Sequence, residues 1–181
     1  MTDLEMYKRF IKHKYKGNED EYEILSTPPA YSFDVIQTVE GQTSAIELKT
    51  RMEYSYEQYD NIYFEKSKVI SVLRCARSFG YCGAFFCTFY PKSDKVVIIS
   101  LNDIEWDKVW EGTHPILRIG WEWCNKRTAN SREEKTLKEV VYFPLKHTDK
   151  ITYVYSYPGL KEEYNTLYKQ NKKKVSNGYD S

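Results

Sequence analysis

Asp34, Glu47 and Lys49 are the residues of this chain whose types and spacing could do chemistry together. They lie in the stretch YSFDVIQTVEGQTSAIELKT, from Tyr31 to Thr50, and each half of it alternates as a half-buried strand does. Phe33 and Val35 face one way in the first half, Ile46 and Leu48 in the second, which leaves Asp34, Glu47 and Lys49 on the opposite face. A two-residue turn at Glu40 and Gly41, or a four-residue loop from Val39 to Gln42, places Asp34 directly opposite Glu47 in either case. Their Cβ atoms would then be about 4.5–5.5 Å apart. Two carboxylates so placed repel, and a divalent cation between them removes that cost. Hard oxygen donors with room for water and a phosphate oxygen suit Mg²⁺, with Mn²⁺ as a substitute, better than zinc. Lys49 could orient a water or neutralise charge developing on a phosphorus. The plainer reading is a salt-bridged exposed sheet face, but Ile36 and Ala45 share that face and should partly cover it, which favours a metal site.

The neighbouring elements must hold this hairpin in place. Thr2 and Glu5 have capping-box spacing and Leu4, Tyr7, Phe10 and Ile11 recur at helical intervals, predicting a helix from about Asp3 to Tyr15. Its outer face carries basic residues from Lys8 to Lys16, which could meet a phosphate backbone or be balanced by the acids of Glu19 to Glu23. Glu21 to Ser26 reads as a strand, and Pro28 and Pro29 force an extended link into the hairpin. Ser55 with Gln58, and Gly80 beyond, predict a long helix from Tyr56 to Phe79. Lys66 would sit in the middle of its apolar stripe, where a lysine must snorkel or meet an anion. The apolar runs Tyr81 to Tyr90 and Lys95 to Leu101 read as buried strands. Further on, the expectations are a short helix over Asp103 to Glu111, a strand over Pro115 to Cys124, a polar loop from Asn125 to Lys138, strands over Val140 to Leu145 and Ile151 to Tyr157, and a helix over Leu160 to Tyr168.

With 181 residues the chain suits one domain, and a net charge of +1 means that any pull toward nucleic acid must come from local patches. Cys75, Cys82, Cys87 and Cys124 have no ligand spacing and read as buried thiols of a reducing compartment, placing the protein in a cytoplasm. The absence of a signal segment and of a long apolar run argues against a membrane partner. His13, His114 and His147 have no ligand spacing, and the scattered glycines form no phosphate-binding loop.

The order helix, strand, strand, strand, helix, strand, with acids on the second and third strands and a lysine two residues after the second acid, resembles the PD-(D/E)XK nuclease superfamily. The resemblance rests on Phe33-Asp34 and Glu47-Leu48-Lys49 and covers Asp3 to Leu101. It implies an α/β, restriction-endonuclease-like fold with an αβββαβ core and a central mixed sheet flanked by helices, and says nothing about the rest of the chain. Length and patterning then give a single domain over 1–171, with core 3–101 and an extension over 102–171 of additional C-terminal strands and a helix, and the polar stretch 172–181 reads as a disordered tail. Asp34 and Glu47 would ligate Mg²⁺ with the backbone carbonyl of Leu48, Lys49 would help to activate the attacking water, and Lys66 matches an accessory polar residue on the second helix. The implied function is a Mg²⁺-dependent nuclease acting on DNA, in the host cytoplasm if a virus or mobile element encodes it. The sequence departs from the pattern in lacking a proline before Asp34.

Two rival readings stand beside this one. A non-catalytic module of the same fold, binding nucleic acid or protein, is favoured by the near-neutral charge and the aromatic-rich second half. An assembly protein, such as a homodimer, could use its tyrosines as an interface.

Overall fold

The structure is a computed structural model and describes residues 2–15, 22–28, 33–125, 135–146, 148 and 150–177. Thr2–Lys14 forms α1, with Met6, Tyr7, Phe10 and Ile11 buried at helical spacing. Strands β1 (Tyr22–Ser26), β2 (Val35–Val39) and β3 (Gln42–Thr50) follow as an antiparallel meander. Strand β5 (Gly83–Tyr90) then runs parallel to β3, and β6 (Lys95–Ser100) and β9 (Thr152–Ser156) add antiparallel strands. The result is a mixed six-stranded sheet in the order β1-β2-β3-β5-β6-β9. Strand β4 (Asn61–Glu65) leaves this sheet and forms a second, three-stranded one with β8 (Lys135–Pro144) and β7 (Arg118–Asn125).

Each face of the large sheet has its own core, because side chains alternate along the strands. Val35, Ile46, Leu48, Cys87 and Phe89 pack with α1 and with α4 (Leu160–Asn177). Ala45, Ala84, Phe86 and Val97 pack with the second sheet, with α2 (Lys66–Ser78) and with α3 (Trp106–Glu111). Glu47 and Lys49 follow Ala45 at alternate positions and therefore point toward this second core. The partial cover expected from Ile36 and Ala45 is present, with Ala45 fully buried and Ile36 packed against the same cluster.

The hairpin has the two-residue turn. Glu40 and Gly41 have φ of 49° and 77°, both left-handed as a type I′ turn requires, and Val39 pairs with Gln42. The register pairs Val35 with Ile46 and, one step further, the backbone N–H of Asp34 donates to the carbonyl of Ile46.

Several expected boundaries are corrected. The helix expected from Tyr56 to Phe79 is a short 3₁₀ turn at Tyr56–Gln58, then β4, and only then α2. Ile62 and Phe64 alternate with Tyr63 and Glu65 and bury against Phe143 and Val141 of β8, so tertiary pairing overrides the helical spacing of Tyr59, Ile62 and Tyr63. Lys66 accordingly opens α2 and does not sit mid-stripe. The loop expected to Lys138 ends earlier, since β8 begins at Lys135, while 126–134 lie outside the described residues. Helix α4 continues to Asn177, through most of the stretch expected as a disordered tail, and 178–181 lie outside the described residues. The cysteines are all free, but only Cys87 is buried; Cys82 is exposed, and Cys75 and Cys124 are half-buried. Burial pushes the Cys87 thiol far up. No described helix is long and apolar enough to cross a membrane.

Candidate active site

Asp34 stands exposed where the chain enters β2, and its Oδ2 accepts the backbone N–H of Leu48 at 2.8 Å. This bond crosses the strand pair and ties the first acid to the residue after the second. Glu47 has only 12% of its side chain exposed, and the ammonium of Lys68 in α2 lies 2.9 Å from its Oε2. The contact is a close ion pair between two mostly buried side chains, so the Glu47 carboxylate is held from the α2 side by Lys68. Burial raises the Glu47 pKa from 4.5 to about 7; Lys68 opposes the rise, and the charge of Asp34 adds to it.

Lys49 lies on the same face, its ammonium 5.8 Å from the ring centre of Phe64 in β4. Burial, and next the charge of Arg51, lower its pKa from 10.5 to about 8. Glu65 faces Lys49 from β4 and is itself paired with Lys138 of β8 at 2.9 Å. Leu48 points the other way, into the core with α1 and α4.

Lys66 is not brought to this cluster. Its ammonium pairs with Glu139 of β8 at 3.0 Å and lies over the ring of Trp110 at 5.4 Å. The lysine of α2 that reaches Glu47 is Lys68, which sequence reasoning missed. Its signal was its place four residues before Val72 on the buried stripe of Val69, Val72 and Ala76, legible only once the helix is known to begin at Lys66. His13 and His114 lie on different elements: His13 packs beside Tyr157, and the His114 Nδ1 accepts the backbone N–H groups of Ile116 and Leu117; His147 lies outside the described residues.

The donor set fits a hard divalent cation. Asp34, at the entry to β2, and Glu47 of β3 bring two carboxylates together, with Lys68 balancing the second. No group of three or more His, Cys, Asp or Glu side chains that could hold a metal occurs among the described residues. Side chains would therefore supply a minority of the ligands, as is usual for Mg²⁺, which keeps several waters and takes substrate phosphate oxygens.

The order α1, β1, β2, β3, α2, β5, with β4 inserted before α2, the parallel β3–β5 pair and helices on the sheet faces give an α/β fold with a central mixed sheet, consistent with the restriction-endonuclease-like core expected from the sequence. No family model and no curated protein matches the sequence. Among solved structures the chain is similar to Hjc, a Holliday junction resolvase from the archaeal hyperthermophile Archaeoglobus fulgidus, at 17% identity. That similarity covers 51% of this chain and 74% of that chain, with a TM-score of 0.38.

Proposed function

We propose that this protein is a Mg²⁺-dependent nuclease that hydrolyses phosphodiester bonds, with DNA as its substrate. The observation that carries the reading is Glu47, a mostly buried carboxylate close to Asp34, with Lys49 on the same face of β3. Two carboxylates kept side by side, one of them mostly buried, repel each other, and a single lysine at 2.9 Å offsets only part of that cost, which suits the pair to a cation. A bound divalent ion would supply a water of lowered pKa and positive charge for the phosphoryl oxygens. Asp34 and Glu47, with the Leu48 carbonyl, would hold it. Leu48's N–H fixes the Asp34 carboxylate through Oδ2, and that carboxylate lies within hydrogen-bonding reach of Glu47. Lys49, held near a pKa of about 8, can exchange a proton close to neutral pH and in its charged form faces negative charge building on the phosphorus. Lys68 orients Glu47 in this arrangement, and Lys66 braces α2 against β8 through Glu139.

Glu47→Gln and Lys49→Ala proteins should each cut supercoiled, linear and branched DNA at least about 100-fold more slowly than the unaltered protein in Mg²⁺. Equal rates would remove these residues from the chemistry.

The second reading, a binding module that does not cut, is favoured by one observation: Lys68 already neutralises Glu47. Calorimetry with Mn²⁺ separates the two. Binding that disappears in Glu47→Gln supports the nuclease, whereas no metal binding alongside intact DNA binding supports the module.

A further inference from the structure

A cavity of about 450 Å³ opens beside the Glu47 face, between the end of β3, the segment before β4 and the second sheet. Its size lies within the range of roughly 300–1,000 Å³ typical of small-molecule sites. Four of its residues form a row across three strands. Arg118 of β7 lies 4.7 Å from the ring centre of Tyr142, its direct partner on β8, and Tyr142 meets Tyr63 of β4, again a direct partner, at 6.0 Å. Arg51, just past β3, completes the row 5.5 Å from the Tyr63 ring centre. Tyr54 and Tyr59 stand at the cavity as an edge-on pair at 5.6 Å and are 39% and 50% exposed.

Two features mark this as a built site and not as packing alone. Arg51 Nε is a buried N–H with no hydrogen-bond partner among the described residues, and its Nη2 is only 3.5 Å from the Tyr63 carbonyl, at the limit of a hydrogen bond. A guanidinium so placed in an open cavity is matched by an anionic oxygen. Tyr54 and Tyr59 each leave part of an apolar ring uncovered by the described residues. Flat aromatic faces beside guanidinium groups can stack a base and meet its phosphate, with Asp60 and Glu122, the latter accepting the Tyr142 O–H, on the same lining.

The location is as telling as the composition. Arg51 follows Glu47 and Lys49 at alternate positions on one face of β3, close enough to Lys49 to lower its pKa. At about 3.3 Å per residue, Arg51 is ~13 Å from Glu47 along the strand, which a stacked nucleic-acid strand covers in at most about four nucleotides. We infer that this cavity takes the unstacked base and adjoining phosphate of an unpaired nucleotide, a few nucleotides from the bond that is cut. The preferred substrate is then a strand with unpaired bases, such as a single strand, a frayed end or a branch, over a fully paired duplex. This inference rests on the nuclease reading of the Glu47 face for the bond that is cut, but the base site can be measured without cutting.

The test uses the full chain carrying Glu47→Gln, in chelator, with single-stranded 12-mers that hold 2-aminopurine at successive positions. Stacking in the cavity should quench 2-aminopurine at a restricted set of positions. Tyr59→Ala and Arg118→Ala, both at exposed side chains, should weaken binding about tenfold and abolish the quench, while Tyr59→Phe should retain both. Fully paired duplex should bind more weakly than the single strand and be insensitive to these changes. Oligonucleotide binding unchanged in Tyr59→Ala and Arg118→Ala would overturn the base site, whether or not the unaltered protein cuts DNA. Displacement of the 12-mer by an equal concentration of free nucleoside monophosphate would also overturn it, making the ligand a free nucleotide. Quenching and its loss as expected, with no cleavage by the unaltered protein in Mg²⁺, would uphold the base site and sink the nuclease reading. Absence of any oligonucleotide binding would overturn both.

Discussion

Glu47 is the residue on which the site's electrostatics turn. Burial holds its carboxyl near pKa 7 against an ordinary 4.5, so the folded chain takes a proton there more readily than the unfolded chain does. The stabilising contribution is therefore fully present below about pH 4.5 and is lost as pH rises through about 7, roughly 3 kcal/mol at most. Metal-free protein should become less stable across that window in urea titrations, and Glu47→Gln should flatten the slope. Lys68, 2.9 Å from the carboxylate, limits the loss. Replacing it with methionine leaves a buried charge unpaired, so Lys68→Met should cost about 3 kcal/mol at pH 8 and less at pH 6, where Glu47 takes a proton instead. The Glu47→Gln/Lys68→Met double variant should recover most of that cost. A double-mutant cycle with near-zero coupling at pH 8 would show that the pair contributes nothing to holding Glu47.

At the scale of elements, the hairpin decides whether the two acids meet at all. A one-residue slip would send Glu47 and Lys49 into the core with α1 and α4 and bring Leu48 to the site. The type I′ turn fixes the register, and both of its central residues are left-handed. Gly41→Ala should therefore cost about 1 kcal/mol, and Glu40→Asn, giving the preferred Asn-Gly pair, should add about 0.5 kcal/mol. Urea midpoints measure both, and an unchanged Gly41→Ala protein would mean that the turn does not set the register. From Val35 on this hairpin was legible in the sequence because alternation and turn chemistry agreed on one register; Phe33, expected on the face of Val35, instead packs in the core with Ala45, because the chain bends before β2 begins. The next segment was not, because its cues conflicted. Tyr59, Ile62 and Tyr63 satisfy helical spacing, while Ile62, Phe64 and their neighbours satisfy strand spacing, and only β8, far along the chain, decides between them. Ser55 with Gln58 has the form of a capping box, yet Ser55 makes no side-chain cap and opens only a 3₁₀ turn. Lys68 was hidden for the same reason, since which lysine of α2 faces Glu47 depends on where the helix starts.

The whole molecule separates foundation from site. One core, under α1 and α4, lies on the face of the large sheet away from Glu47; the other, with the second sheet and α2, surrounds it. The basic residues of α1 belong to the far side and are partly engaged there, with Arg9 paired to Glu163 of α4 at 3.5 Å and Lys8 to Glu5 at 3.8 Å. A strand lying across Glu47 would thus meet Lys49, Arg51 and the second sheet, and α1 would contribute to stability more than to binding. Phe10 is fully buried in the far core and Phe64, stacked on Phe86 at 3.9 Å, lies beneath Lys49 in the near one. Phe10→Ala should cost about 3–5 kcal/mol but leave Mn²⁺ affinity and the cleavage rate of the remaining folded protein within about twofold. Phe64→Leu removes less volume and should cost less stability, yet it takes away the ring against which Lys49 packs and should slow cleavage several-fold at unchanged Mn²⁺ affinity. Urea denaturation, calorimetry and cleavage assays on the two variants make the comparison. If Phe10→Ala slowed cleavage by folded protein as much as Phe64→Leu, the two faces would be coupled and the far core would be part of the site.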